Sequence, residues 1–172
     1  NSNGQLGLGT GGSVSSVPKK IPLINSGVAA VSAGIRHTLF IKTDGSLWGM
    51  GKNYYGQLGL GQSGQRWEDT ARGSFDVGTD RDVPTQILAS GVIAAFAAND
   101  TSYFIKSDGS LWAMGDNMNG QLGNGKSGFR SNKDDNLPIT EHESIPIQIV
   151  ASGVRAVRSS GGTTCFIKSD GS

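Results

Sequence analysis

A disulfide framework is excluded at once: Cys165 is the single cysteine among 172 residues, and one thiol has no internal partner. Two histidines and that thiol stand at no zinc-ligand spacing. Charge of one sign is missing too. Fifteen Lys and Arg (15) face 14 Asp and Glu, a net charge of +1, without the clustered basic face that nucleic acid requires. No nucleic-acid partner is therefore expected. No apolar stretch approaches the ~18 to 20 residues of a membrane-spanning helix, so no membrane insertion is expected. Helical periodicity is absent, since apolar residues alternate or run for a few positions and then stop at glycine. Paired carboxylates occur at Asp80 and Asp82 and at Asp134 and Asp135, but no acid or base stands at a matched place beside them. Asp134-Asp135-Asn136 lacks the spacing of a calcium loop. The sequence predicts no catalytic residue, no cofactor and no metal, and hence a protein that is not an enzyme.

What the sequence does have is glycine and repetition. The 27 glycines are roughly twice the average usage of about 7%, and they recur at fixed places, which points to tight turns between short strands. Phe40 to Gly61 reads FIKTDGSLWGMGKNYYGQLGLG, Phe104 to Gly125 reads FIKSDGSLWAMGDNMNGQLGNG, and FIKSDGS begins again at Phe166. Prolines 22, 84 and 146 are 62 residues apart, and the Asp-Gly pairs at 44, 108 and 170 are 64 and 62 apart. Such a period of about 63 residues marks a tandem array. The repeats are read as approximately 1–17 (the end of a preceding unit), 18–61 with an insertion at 62–82, 83–125 with an insertion at 126–144, and an incomplete 145–172. The chain starts and stops inside a unit and lacks an initiator Met, so it is read as a segment of a longer array. The remaining units are expected from further sequence or from self-association.

Each unit offers four short strands. An apolar run opened by proline (Pro22, Pro84, Pro146) comes first, and proline confines it to a strand start or an edge. Val28 to Ala33, with Val92 to Ala97 and Val154 to Ser159, is built of small residues and needs a crowded site. Thr38 to Lys42 then pairs with Ser46 to Met50 through Asp44-Gly45, and the same hairpin recurs at Asp108-Gly109, because an Asp-Gly pair tolerates the positive φ of a tight turn. Trp48 and Trp112 recur in the last strand and are expected to fill space between units. Four antiparallel strands per unit in tandem predict an all-β propeller, whose inner strands crowd a central channel. Cys165 aligns with Leu39 and Tyr103 and is expected to be a small packed residue.

Gly56-Gln57-Leu58-Gly59 and Gly120-Gln121-Leu122-Gly123 close the units, and Gly4 to Gly7 carries a further copy. Glycine supplies the unusual backbone angles of this tight loop, and glutamine is expected to cap backbone groups that no strand satisfies. No Lys-Ser/Thr follows, so these glycines do not form a phosphate cradle.

Three phrases together, Gly34 to Ile41, Asp44 to Gly51 and Asn53 to Gly59, resemble the regulator-of-chromosome-condensation repeat. The resemblance covers the chain apart from the two insertions. It implies a propeller, most often of seven blades with four antiparallel strands each, of which this chain holds about two and a half. The spelling of these repeats is closer to bacterial secreted or surface proteins, and that setting is the expected location. The family's histidine is present at His37, but its counterparts are Thr101 and Thr163, and Gly34 becomes Ala98 and Ser160. A position so replaced is structural rather than catalytic. His142 stands by itself in a loop.

Function is expected in the stretches that do not repeat, because loops carry binding on a rigid scaffold. Both insertions exceed the ~12 to 15 residues beyond which loops are usually functional or disordered. Both also lie between a Gly-Gln-Leu-Gly loop and the next proline strand, so they emerge on one rim. Arg66, Trp67, Phe75, Phe129 and Arg130 are the candidate partner-binding residues, having the composition of an interface hot spot; Glu68, Asp69 and Asp134 accompany them. Trp67 and Phe75 fit equally a fold-back onto the blade. The leading expectation is a non-enzymatic module binding a protein partner. The resemblance leaves three alternatives: an inhibitor of a secreted enzyme, similar to β-lactamase inhibitor protein II; a guanine-nucleotide exchange and chromatin-binding propeller; and a structural repeat of a bacterial surface protein.

Overall fold

The computed structural model describes residues 1–12, 14–67, 74–76, 78–127, 129–131, 138–160 and 162–172, and among them no helix occurs. Two four-stranded antiparallel sheets and the start of a third follow one another along the chain. The first sheet orders β1 (Val28–Ala33), β2 (His37–Lys42), β3 (Leu47–Gly51) and β6 (Arg81–Leu88) from one edge to the other. The second orders β7 (Val92–Ala97), β8 (Thr101–Lys106), β9 (Leu111–Asp116) and β12 (His142–Val150) in the same way. β13 (Val154–Ser160) and β14 (Thr163–Lys168) form the third.

The Asp-Gly hairpins are built as their residue types require. Asp44 Oδ1 accepts from the Ser46 amide at 2.9 Å and the Ser46 hydroxyl at 2.6 Å, while Gly45 takes a φ of 77°. Asp108 and Ser110 repeat both contacts at 2.9 and 2.6 Å. The hydroxyl bond from serine, with its amide bond second, holds each aspartate below the usual carboxylate range. Ser46 Oγ in turn accepts from Trp48 Nε1 at 2.9 Å. Trp48 is half-buried: it stacks on its cross-strand neighbour Phe40 with centroids 6.1 Å apart, and Lys42 Nζ lies 4.3 Å from its ring centre. Trp112 repeats the arrangement with Phe104 and Lys106 and packs against the core between the first and second sheets.

The core lies between sheets. Leu39, Ile41 and Leu47 of the first sheet meet Val92, Phe104 and Met114 of the second, and Tyr103, Ile105 and Leu111 on its other face meet Val154 and Val157 of the third. The second sheet thus buries both faces, one against each neighbour. The small-residue strands stand at the sheet edge, and five of six residues of β1 are exposed.

Several expectations are corrected. The proline-opened strand does not start its own sheet: β6, carrying Pro84, pairs with β3 of the preceding hairpin, and β12, carrying Pro146, pairs with β9. The segment at Ile21 to Ile24 forms a turn closed by the Ile24 amide on the Ile21 carbonyl, because no hairpin precedes it among the described residues. The insertions are not plain loops. Each contains a two-stranded hairpin, β4 (Gln65–Trp67) with β5 (Ser74–Asp76), and β10 (Phe129–Ser131) with β11 (Pro138–Thr140). Arg81 and Asp82, read within the first insertion, and His142 to Ser144, read within the second, already belong to the fourth strands. His142 accordingly opens β12 rather than sitting alone in a loop, with Nε2 3.0 Å from Ser63 Oγ. Cys165 is exposed, because no sheet covers β14 among the described residues as the neighbouring sheets cover Leu39 and Tyr103.

Candidate protein-interaction rim

β3 and β9 both run away from their Asp-Gly turns, so everything that follows them emerges at the opposite end of the sheets. That end carries the Gly-Gln-Leu-Gly loops and both hairpins.

The loops are the joints between sheets. Asn53 Oδ1 accepts from the Leu58 amide at 2.9 Å and Gln57 Oε1 from the Tyr55 amide at 3.0 Å. Asn117 and Gln121 repeat these bonds to Leu122 and Asn119 at 3.0 and 2.8 Å. Here the glutamine caps the loop's own backbone. Gly56 lies so close to the next sheet that a Cβ on it would sit 2.4 Å from the Ser144 Cα, and one on Gly59 would sit 2.4 Å from Met114 Sδ. Gly4 and Gly7 make the same approaches to Asp82 and Met50. Gly120 meets only Ser127 and Lys126.

A hydroxyl is aimed at each loop's glutamine carbonyl, from the following sheet at the first two loops and from the loop's own sheet at the third. Thr38 Oγ1 donates to Gln5 O at 2.9 Å and Ser102 Oγ to Gln57 O at 2.7 Å. At Gln121 the donor is the Tyr103 phenol at 2.7 Å, which also lies 2.7 Å from Thr164 Oγ1. His37 is fully buried in the first joint, with Nε2 2.9 Å from Ser102 Oγ and Nδ1 without a hydrogen-bond partner. Desolvation lowers its pKa to about 4, with Lys52 assisting and Asp100 opposing. The histidine is neutral and its work is packing the joint. Lys52 Nζ lies 3.2 Å from Asp100 Oδ1 across the same joint, and Gln57 Nε2 donates to that oxygen at 3.0 Å.

The hairpins rise from this base. Asn53 holds the feet of the first, donating through Nδ2 to Gln62 O at 2.9 Å and through its amide to Asp80 Oδ1 at 2.8 Å. In the hairpin Arg66 stands opposite Phe75 and Trp67 opposite Ser74. In the second, Phe129 stands opposite Thr140 and Arg130 opposite Ile139. The five candidate partner-binding residues therefore lie on two short ribbons of neighbouring sheets, at one end of the array. Glu68, Asp69 and Asp134 lie outside the described residues. Sequence reasoning missed the joint itself: Lys52, Asp100 and Tyr103 carry no local motif, and only their alignment across repeats could have marked them. Among the described residues no group of three or more His, Cys, Asp or Glu could hold a metal ion.

The description "Regulator of chromosome condensation (RCC1) repeat" matches residues 1–41, 44–105 and 108–167, and a second form of it matches 28–57. The chain belongs to this repeat family. Among RCC1-repeat proteins it is similar to the ultraviolet-B receptor UVR8 of Arabidopsis thaliana, 34% identical over 131 residues that cover 73% of this chain and 26% of the receptor. It is 35% identical over 117 residues to mouse Protein RCC2, covering 68% of this chain and 18% of that protein. It is 29% identical over 123 residues to the secretion-regulating guanine nucleotide exchange factor of Bos taurus, covering 71% and 25%. The chain thus spans a minor part of each relative. Human WBSCR16 superposes with a TM-score of 0.63 at 21% identity, over 99% of this chain and 39% of that one. Prp20p of Saccharomyces cerevisiae superposes with a TM-score of 0.63 at 17% identity, over 96% and 37%. The fold is therefore a partial RCC1-type β-propeller, and each sheet is a blade. These relatives come from plant, animal and yeast, and lend no support to a bacterial, secreted or surface setting.

Proposed function

We propose that this chain is part of a non-enzymatic propeller that binds a protein partner through the rim bearing the two hairpins. The observation that carries the reading is their common placement: each links the third to the fourth strand of its blade, so adjacent blades present them side by side. Trp, Phe and Arg at these positions are the residue types that dominate interface energetics. A fold by itself does not fix function, so the argument rests on the rim. Co-precipitation with the Trp67→Ala and Phe129→Ala variants tests it. The expected outcome is loss of a partner that the unaltered protein retains; undiminished binding by the double variant removes the proposal.

A second reading, guanine-nucleotide exchange, is favoured by the similarity to the bovine exchange factor. It requires that the protein accelerate GDP release from a small GTPase. A flat release curve across a panel of purified GTPases would leave the binding reading standing and remove this one.

A further inference from the structure

Successive joints of the propeller repeat the same backbone with different side chains, and the difference opens a site. In the first joint Lys52 reaches across to Asp100. The repeat places Asp116 where Lys52 stands, and Gly162 where Asp100 stands. The second joint therefore has a carboxylate on one side and no side chain on the other. A cleft of ≈ 320 Å³ lies there, lined among others by Asn99, Asp100, Asp116, Asn119, Gln121 and Gly162. A Cβ added at Gly162 would meet nothing nearer than Asn119, at 3.9 Å. The glutamine of the loop records the same change. Gln57 Nε2 donates across the first joint to Asp100, whereas Gln121 Nε2 turns back to Asp116 Oδ2 at 2.7 Å.

We infer that this cleft takes a lysine or arginine side chain presented by the protein partner, set between Asp116 and Asp100 as Lys52 is set against Asp100 one joint earlier. The inference rests on the rim reading above, since the cleft opens at the end that carries the hairpins. Charge complementarity selects the ligand: Asp116 lines the cleft beside Asp100, whose Oδ1 already takes Lys52 and Gln57, and the amide groups of Asn99 and Asn119 offer further acceptors. Burial pushes the Asp116 carboxyl up, against the bonds it accepts from Met118 and Gln121. An incoming cation offsets that cost, because an opposite charge close by favours the ionised carboxylate. A basic side chain fits better than a metal ion, as the described residues hold no group of three acidic or imidazole ligands.

The test titrates the 15N-labelled protein with N-acetyl-arginine methylamide and, separately, with its uncharged citrulline analogue, following the amides of Asn119 and Gly162. Saturable shifts with the arginine probe are expected, about tenfold weaker with citrulline and in Asp116→Asn, the size of a lost charge-assisted hydrogen bond. Equal response to the two probes, an unchanged response in Asp116→Asn, or no saturable shift overturns the inference. Should Asp116→Asn fail to fold, the comparison of probes decides by itself. Failure here leaves the rim reading intact, because co-precipitation by the hairpin variants does not depend on Asp116.

Discussion

At the level of single residues, the joints show how one position changes identity without changing its task. The first joint is closed by His37 and Leu39, and the second by Thr101 and Tyr103, whose phenol takes over the bond to the loop glutamine carbonyl. The sequence showed that His37 gives way to Thr, which pointed to a structural rather than a reacting group. It did not show that Tyr103 compensates two positions on, because that bond joins residues 18 apart within the second blade and no local pattern marks it. The buried imidazole has a measurable signature. Its pKa falls from 6.5 to about 4, so between those values the unfolded chain takes up a proton that the folded one refuses. Stability therefore falls as pH drops through this window and levels off below it, by about 3 kcal/mol for a shift of this size. Urea midpoints recorded from pH 7 to pH 4 should show the decline in the unaltered protein. Grafting the second joint through His37→Thr and Leu39→Tyr should flatten it, and an undiminished slope in that variant would assign the effect elsewhere.

Strands and turns were the most legible elements, because their causes are local. Asp44-Gly45 and Asp108-Gly109 announce hairpins through their own chemistry, and the structure supplies the bonds that do it. The partner of the proline strand was not legible. Arg81–Leu88 pairs with a strand thirty or more residues earlier, and nothing in its own composition says which neighbour it joins. The hairpins inside the insertions were hidden for another reason: three-residue ribbons are too short to establish a period. At this scale the Gly-Gln-Leu-Gly loop makes a sharp prediction. Gly56 and Gly125 have nearly the same φ, 79° and 77°, but a Cβ on Gly56 strikes the Ser144 backbone while one on Gly125 meets nothing within 4 Å. Alanine at either position bears the cost of a left-handed backbone. Gly56→Ala should lose about 1–3 kcal/mol more than Gly125→Ala through overpacking. Equal unfolding free energies for the two variants would show that the loop is not the joint it is taken to be.

For the whole molecule, the propeller is a stack of blades whose cores lie between neighbours, so an uncovered blade is incomplete. In the third blade Phe166 and Ile167 are 39% and 44% exposed, and β14 has no outer partner among the described residues. Unpaired edges and apolar faces promote association. The 172-residue chain produced by itself should therefore sediment above its 17.8 kDa monomer mass, and a stable monomer would contradict this view of the joints. The central claim concerns the rim, where repetition ends and two ribbons stand on adjacent blades. It is tested most directly by replacing residues 65–76 and 129–140 with short Gly-Ser turns in the protein and measuring both unfolding and partner affinity. The feet of the first hairpin are held by Asn53 independently of the ribbon, so the unfolding midpoint should change little. Affinity should fall by about a hundredfold or more, as loss of hot-spot residues implies. Full affinity in a protein lacking both hairpins would contradict the account.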